Sequence, residues 1–324
     1  MRKVICLLLI ITLMVCLALP LFTGCSAKDD GKIKVVVTIF PIYDWVMEVL
    51  GDLAGNAKVT LLLDSGADLH SYQPSVADMV AVAQADLFIY VGGESDEWVD
   101  DALKNAKNKK MKTMDLISLL GERAYLEEIV EGMDHEEEEG DEAEDEYDEH
   151  VWLSLRNAAF YVDLIAKEFA ALDETNAETY RQNASDYIAE LNALDARYTE
   201  TVAASPRDTL LFGDRFPFRY LVEDYGLKYY AAFVGCSAET NASFRTMTFL
   251  AGKANELDLK VILKIENSSS QIAEQIRNES NAKNQKIVVL DSLQSATAKE
   301  YAEGRTYLAV MTTNLTVIAE ALAA

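Results

Sequence analysis

From residue 33 onward, short continuous apolar runs alternate with stretches in which apolar residues recur every three or four positions. Ile33 to Ile39 (IKVVVTI) is β-branched and unbroken, the pattern of a strand buried on both faces. Pro41 then leads into IYDWVMEVLGD, apolar at helical spacing. Lys58 to Leu63 (KVTLLL) and Leu87 to Gly93 (LFIYVGG) read as further strands. Between them Pro74 is expected to open a helix, since its missing N–H costs nothing in a first turn. Val151 to Leu172 is largely helical in pattern. Thr175 to Ala204 contains no Gly or Pro, and Tyr180, Ala184, Tyr187, Ile188, Leu191, Leu194 and Tyr198 mark one apolar stripe. That spacing predicts a helix of about eight turns, stopped at Ser205–Pro206. Strands are predicted again at Thr209 to Phe212, Lys228 to Phe233, Lys260 to Ile265 and Lys286 to Leu290, with a closing helix from Thr306 to Ala323. Strand–helix alternation of this kind builds parallel sheets covered by helices. The expected fold is α/β: two Rossmann-like lobes, residues 33–174 and 205–324, joined by one long rigid helix over 175–204.

The start of the chain has a different pattern. Arg2 and Lys3 precede an apolar run from Val4 to Phe22, broken by Thr12 and Pro20, which reads as a secretory signal. Its length approaches the roughly 20 residues of a membrane span, so an uncleaved anchor is the alternative. LFTGC, Leu21 to Cys25, resembles a bacterial lipobox, with Phe22 where Leu is usual. In that motif cleavage falls before the Cys, which carries a diacylglycerol group. Residues 1–24 are then the signal peptide and 25–32 a tether. The body would be lipid-anchored through Cys25 to the outer face of the bacterial cell membrane. Cys6 and Cys16 leave with the signal, so Cys236 is the remaining thiol and no internal disulfide is expected.

Charge narrows the partners. Asp plus Glu number 54 against 29 Lys plus Arg, a formal net charge of −25. That argues against nucleic acid, which needs cations to displace counterions, and against basic patches on anionic lipid. A cationic partner, including a divalent metal ion, fits better. Glu131 to Glu149 holds 13 acidic residues and no Lys or Arg. It is expected to be an unstructured loop that concentrates divalent cations or acts as a solvated spacer.

The chain has three histidines, His70, His135 and His150. His70 lies in DSGADLHSYQPSVADM, after a strand and before a helix, where α/β sheets place ligands. His150 lies in DEHVWLSLRNA, at the exit of the acidic run. They are 80 residues apart and form no local zinc motif such as HExxH. On spacing alone, two loop histidines bonded to backbone or water explain them at least as well. No nucleophile elbow or P-loop supports an enzyme.

Several ordered motifs together resemble the metal-binding lipoproteins of zinc and manganese ABC importers, the zinc-uptake and adhesin-lipoprotein family. GADLHSYQPSVADM and EHVWLSLRNA resemble its two histidine motifs. YGLKYYAAF resembles a strand segment, and LDSLQS with YLAVMTTNLTVIAEAL its closing segment and helix. The resemblance implies His70 and His150 as metal ligands. It places a third ligand, His or Glu, ahead of YGL, where this chain reads GDRFPFRYLVEDYGL, with no His and a longer spacing. Asp214 is the match there, with a turn cap or a pair with Arg215 or Arg219 as the alternative. Asp291 in VVLDSL matches the fourth ligand, with a helix N-cap as the alternative. Cys236, Glu239 and Glu266 stay open as substitutes for Asp214. Two imidazoles and two carboxylates suit Zn2+ at about 2.0–2.2 Å; the added carboxylate makes Mn2+ the alternative. The resemblance thus implies a monomeric, non-enzymatic extracytoplasmic solute-binding lipoprotein that hands zinc to an ABC transporter permease. A binding protein for a metal chelate and a metal-dependent hydrolase are the competing readings.

Overall fold

The computed structural model of this chain describes residues 31–66, 68–134, 146–237 and 241–323. The signal segment, Cys25, His135 and Glu239 lie outside the described residues. The body divides about a pair of long helices. In the first lobe, β1 (Ile33–Val37), β2 (Ala57–Leu61), β3 (Leu87–Tyr90) and β4 (Lys112–Asp115) form one parallel sheet in the order β2-β1-β3-β4. β1 has neighbours on both edges, so Val35, Val36 and Val37 are buried without alternation, as an unbroken apolar run requires. Ile39, predicted within the strand, is instead the N-cap of α1 (Phe40–Leu50), where Pro41 fills the first turn. Pro74 does not open the next helix. Ser75 does, by a capping box with Asp78, and α2 runs from Val76 to Ala83. β4 escaped prediction because its sequence, KTMD, has no apolar run. α3 (Trp98–Lys104) and α4 (Leu116–Leu120) complete the lobe.

The second lobe repeats the scheme. It contains β5 (Thr209–Leu211), β6 (Arg215–Phe216), β7 (Lys228–Tyr230), β8 (Phe233–Val234), β9 (Val261–Lys264) and β10 (Lys286–Val289). The parallel pairs β5–β7 and β9–β10 are tied by a bridge between Phe212 and Leu263, giving the order β7-β5-β9-β10. Within each sheet the first strand in chain order lies between that sheet's second and third. β6 and β8 form a small parallel pair after β5 and β7. Four helices complete this half: α7 (Arg219–Tyr225), α8 (Phe244–Glu256), α9 (Gln271–Glu279) and α10 (Ala298–Ala302).

Between the lobes lie α5 (Leu155–Leu172) and α6 (Ala177–Ala204). α6 has 28 residues, about 42 Å at 1.5 Å each. Tyr180, Ala184, Tyr187, Leu191, Leu194 and Tyr198 form its buried stripe, as the spacing predicted; Ile188 is only partly covered. The Tyr187 hydroxyl donates to Asp44 at 2.9 Å, in α1. The Tyr198 hydroxyl donates to the carbonyl of Met311 at 2.6 Å, in the closing helix α11 (Tyr307–Leu322). Asp44 also accepts the Tyr307 N–H at 3.0 Å, so one buried carboxyl joins α1, α6 and α11. Among the described residues no helix is long and apolar enough to cross a membrane.

Candidate metal centre

His70 sits on a single 3-10 turn, Leu69–Ser71, on the C-terminal side of β2. The Asp68 carboxylate accepts the His70 N–H at 3.0 Å and sets that turn. His150 is fully buried and leads into the turn Val151–Leu153, after which Ser154 caps α5. Its ring packs on Trp152 at 5.1 Å between centroids, and the Trp152 indole N–H donates to the carbonyl of Ser292 at 2.8 Å. The two imidazoles, from loops far apart in sequence, meet with their Nε2 atoms 3.2 Å apart.

Their other nitrogens explain the orientation. His150 Nδ1 lies 3.0 Å from an Asp148 carboxylate oxygen, which also accepts the His150 backbone N–H at 2.8 Å. His70 Nδ1 lies 2.9 Å from Ser95 Oγ and 3.3 Å from Glu149 Oε2. The Ser95 N–H donates to Glu149 Oε1 at 2.7 Å. Burial would raise the Glu149 carboxyl, but the His70 and Ser95 contacts outweigh it and hold it below the ordinary value. A carboxylate only accepts, and with the proton of each ring on Nδ1 each Nε2 would present a lone pair, the tautomer a metal requires. Two such lone pairs face to face suit a shared cation. Two nitrogens bonded to one tetrahedral zinc at 2.0–2.1 Å would stand about 3.3–3.4 Å apart, close to the observed separation. Carboxylate–imidazole pairs of this kind fix the tautomer of metal-binding histidines. The Gln294 amide nitrogen donates to Asp68 at 3.0 and 3.1 Å and its oxygen accepts from His150 Nε2 at 2.9 Å, a bond that a metal on Nε2 would replace.

In sequence the acidic run masks Asp148 and Glu149, and their position directly before His150 is the signal that sets them apart. The expectation of an unstructured loop over 131–149 is corrected at both ends. Met133, Asp148 and Glu149 are buried, Leu126 pairs with Tyr147, and the Asp134 N–H donates to the carbonyl of Ala232 at 2.9 Å. Residues 135–145 lie outside the described residues.

The structure does not gather the two expected aspartates with the imidazoles. Asp214 does line a cleft of about 450 Å3 together with Asp68, His70, Arg215 and Glu266. Its Oδ1, however, accepts the Arg215 N–H at 2.9 Å, and its Oδ2 accepts the Ile265 N–H at 3.1 Å and the Ser268 hydroxyl. Burial raises its carboxyl above the ordinary value. Asp291 accepts the Leu293 N–H at 2.9 Å and pairs with Arg305 at 2.8 Å, facing a separate depression beside α11. Burial, and then the Glu266 charge, push it to about 6 against the pull of Arg305. Glu266 itself accepts from Ser292 N–H and Oγ at 2.7 and 2.8 Å and from Gln294 N–H at 3.2 Å.

Cys236 is placed differently. Among the described residues, the ligand atoms of His70, His150 and Cys236 all lie within 4.8 Å of one another. The Cys236 N–H donates to Glu127 at 3.0 Å. Burial pushes its thiol well above the ordinary range. Beside it, a Cβ on Gly235 would stand 2.9 Å from the Phe216 carbonyl oxygen and 3.0 Å from His150 Cε1. Only a residue without a side chain lets the second lobe approach that imidazole so closely.

Two parallel-sheet lobes, a continuous helix between them and a buried pair of converging imidazoles define a two-lobe binding protein with a candidate site for a metal ion. The chain belongs to the family of ZnuA, the periplasmic component A of the zinc-uptake complex, whose model matches residues 35–321. It is 32% identical over 298 residues to the zinc-binding lipoprotein AdcA of Streptococcus pneumoniae, covering 90% of this chain and 56% of that protein. The chain therefore spans a little over half the length of that relative. It is 29% identical over 303 residues to the high-affinity zinc uptake system protein ZnuA of Bacillus subtilis, covering 92% and 90% of the two chains. In structure it is similar to the Zn(II)-bound ZnuA-like domain of Streptococcus pneumoniae AdcA. There the TM-score is 0.70 at 29% identity, with 90% and 99% of the two chains covered.

Proposed function

We propose that this chain captures Zn2+ outside the cytoplasm, with His70 and His150 as ligands, and delivers it to the permease of an ABC importer. The observation that carries this reading is the pair of Nε2 atoms 3.2 Å apart, with a carboxylate oxygen 3.0 Å from His150 Nδ1 and another 3.3 Å from His70 Nδ1. The names of the relatives, zinc-binding lipoprotein and zinc uptake system protein, support zinc as the cargo and an extracytoplasmic place of work. The LFTGC string supports a lipid anchor on Cys25. Asp214 and Asp291 already accept hydrogen bonds, which a carboxylate can keep while it ligates a metal, so both stay candidates to complete the shell. A manganese reading depends on those hard oxygen donors.

Titration of chelator-stripped protein with Zn2+ tests the proposal. One tight equivalent is expected, lost in His70→Ala and in His150→Ala, with Mn2+ competing poorly. Unchanged zinc binding in both variants would overturn direct coordination. A Mn2+ affinity that matched or exceeded zinc would replace the cargo.

A further inference from the structure

We infer that Cys236 is a direct ligand, so that the cleft offers two imidazoles and one thiolate and selects a thiophilic ion of the zinc class over manganese. This rests on the reading of the cleft as a metal site and sharpens it. Two imidazoles leave a tetrahedral ion two donors short. The carboxylates expected to supply them are not in the group of ligand atoms around the imidazoles, and each already accepts hydrogen bonds: Asp214 from two backbone N–H groups and Ser268, Asp291 from Leu293 and Arg305, Glu266 from Ser292 and Gln294. Arg215 is paired with Asp68.

Cys236 is held where the carboxylates are not. Its ligand atom lies in one group with those of His70 and His150, none more than 4.8 Å from another. Its backbone is fixed on one side by Glu127 and on the other by Gly235, which packs against the His150 ring. A sulfur at 2.3 Å and a nitrogen at 2.0–2.1 Å on one tetrahedral zinc stand about 3.5–3.6 Å apart. Binding would require the three ligand atoms, now within 4.8 Å of one another, to close to that spacing.

The chemistry then differs from an all-nitrogen-and-oxygen shell. Thiolate is a soft donor that favours zinc over the harder manganese. On binding, the S–H bond breaks, the metal–sulfur bond forms and the proton passes to solvent, with no change of oxidation state. Two neutral imidazoles and one thiolate leave a divalent ion with one residual positive charge. Asp148 and Glu149, behind the imidazoles, supply negative charge to offset it.

The test uses the full chain with Cys6→Ser, Cys16→Ser and Cys25→Ser, leaving Cys236 as the sole thiol, and Co2+ as the probe. Cobalt should give an intense near-ultraviolet thiolate-to-metal charge-transfer band, absent after Cys236→Ser. Cys236→Ser should also weaken Zn2+ by at least about 100-fold, beyond the roughly 10- to 100-fold that loss of a supporting partner costs. Mn2+ affinity should stay nearly constant, so the zinc-to-manganese ratio collapses. Stoichiometric Co2+ binding without the band, with zinc affinity unchanged in Cys236→Ser but lost in His150→Ala, would overturn thiol ligation and leave the cleft reading standing. Zinc affinity unchanged in His150→Ala as well would remove both. If Cys236→Ser fails to fold, the cobalt band of the chain that retains Cys236 decides alone.

Discussion

Arg215 of the second lobe and Asp68 of the first form an ion pair across the cleft, and the same Asp68 caps the turn that carries His70. One carboxylate therefore both links the lobes and shapes the turn that carries one imidazole. The two side chains keep only 15% and 28% of their surface exposed, so solvent screens them incompletely, and removing one partner of a buried pair costs up to about 3–5 kcal/mol. Arg215→Met should lower global stability by no more than that. It should still release zinc about tenfold faster, the low end of what a supporting contact contributes. Stopped-flow chelator competition reads the off-rate; a value equal to that of the unaltered chain would confine the pair to the surface.

Asp148→Asn and Glu149→Gln remove the carboxylates behind the two imidazoles while keeping their shape. Each should weaken zinc by about 10- to 100-fold with the fold intact by circular dichroism. Affinities unchanged in both would mean that packing alone orients the rings.

Gly235→Ala places a methyl 3.0 Å from His150 Cε1 and 2.9 Å from the Phe216 carbonyl oxygen. Overpacking of this kind costs about 1–3 kcal/mol. The displaced ring should also lose its alignment with His70. Thermal melts with and without Zn2+ should show a lower Tm and a smaller zinc-induced rise; a full rise would show that the ring had not moved.

Asp44 gives a pH dependence of known sign. Burial lifts its carboxyl from 3.8 to about 7, against the hydrogen bonds from Tyr307 and Tyr187. The folded chain thus holds this proton more tightly than the unfolded one. That contribution is complete below about pH 4 and is lost as pH rises toward 7, at no more than about 1.4 kcal/mol per pH unit. Asp44→Asn stays neutral, so its stability should fall less between pH 5 and pH 8. Urea denaturation of both proteins at the two pH values measures the difference; parallel behaviour would show that Asp44 titrates normally.

Deleting residues 135–145 removes eight of the 13 carboxylates of the acidic run but spares the anchored ends at Asp134, Asp148 and Glu149. The tight zinc equivalent should persist, and additional weak equivalents should disappear from a calorimetric titration at low salt, where screening is least. Identical stoichiometry in both proteins would leave the segment as a spacer.

The fold was legible because its signals are periodic. The valines of β1 and the tyrosine–leucine stripe of α6 each repeat at the spacing their element requires. β4 and the Ser75 cap were less visible, since one has no apolar run and the other competes with a neighbouring proline. The histidines were found by motif. What surrounds them was hidden, because hydrogen bonding is a matter of approach. Asp214 and Asp291 read as ligands in sequence, and only the fold shows that they also accept the backbone N–H groups of Ile265 and Leu293. Cys236 comes beside His150 through the close approach allowed by Gly235, and no spacing rule encodes that.

The unbroken course of α6 has a temporal meaning. Swinging whole lobes apart is a microsecond-to-millisecond event, whereas exposed side chains change rotamer in picoseconds to nanoseconds. A continuous helix bonded to α1 through Tyr187 and to α11 through Tyr198 resists the slower motion. Exchange of the proposed cargo would then fall to the small parts at the cleft: the turn Leu69–Ser71, the Gln294 amide and the Arg215–Asp68 pair. A receiving protein would not need to pry such a molecule open. It would need only to outcompete those few contacts one at a time, so the residence time of the ion would be written in side-chain chemistry.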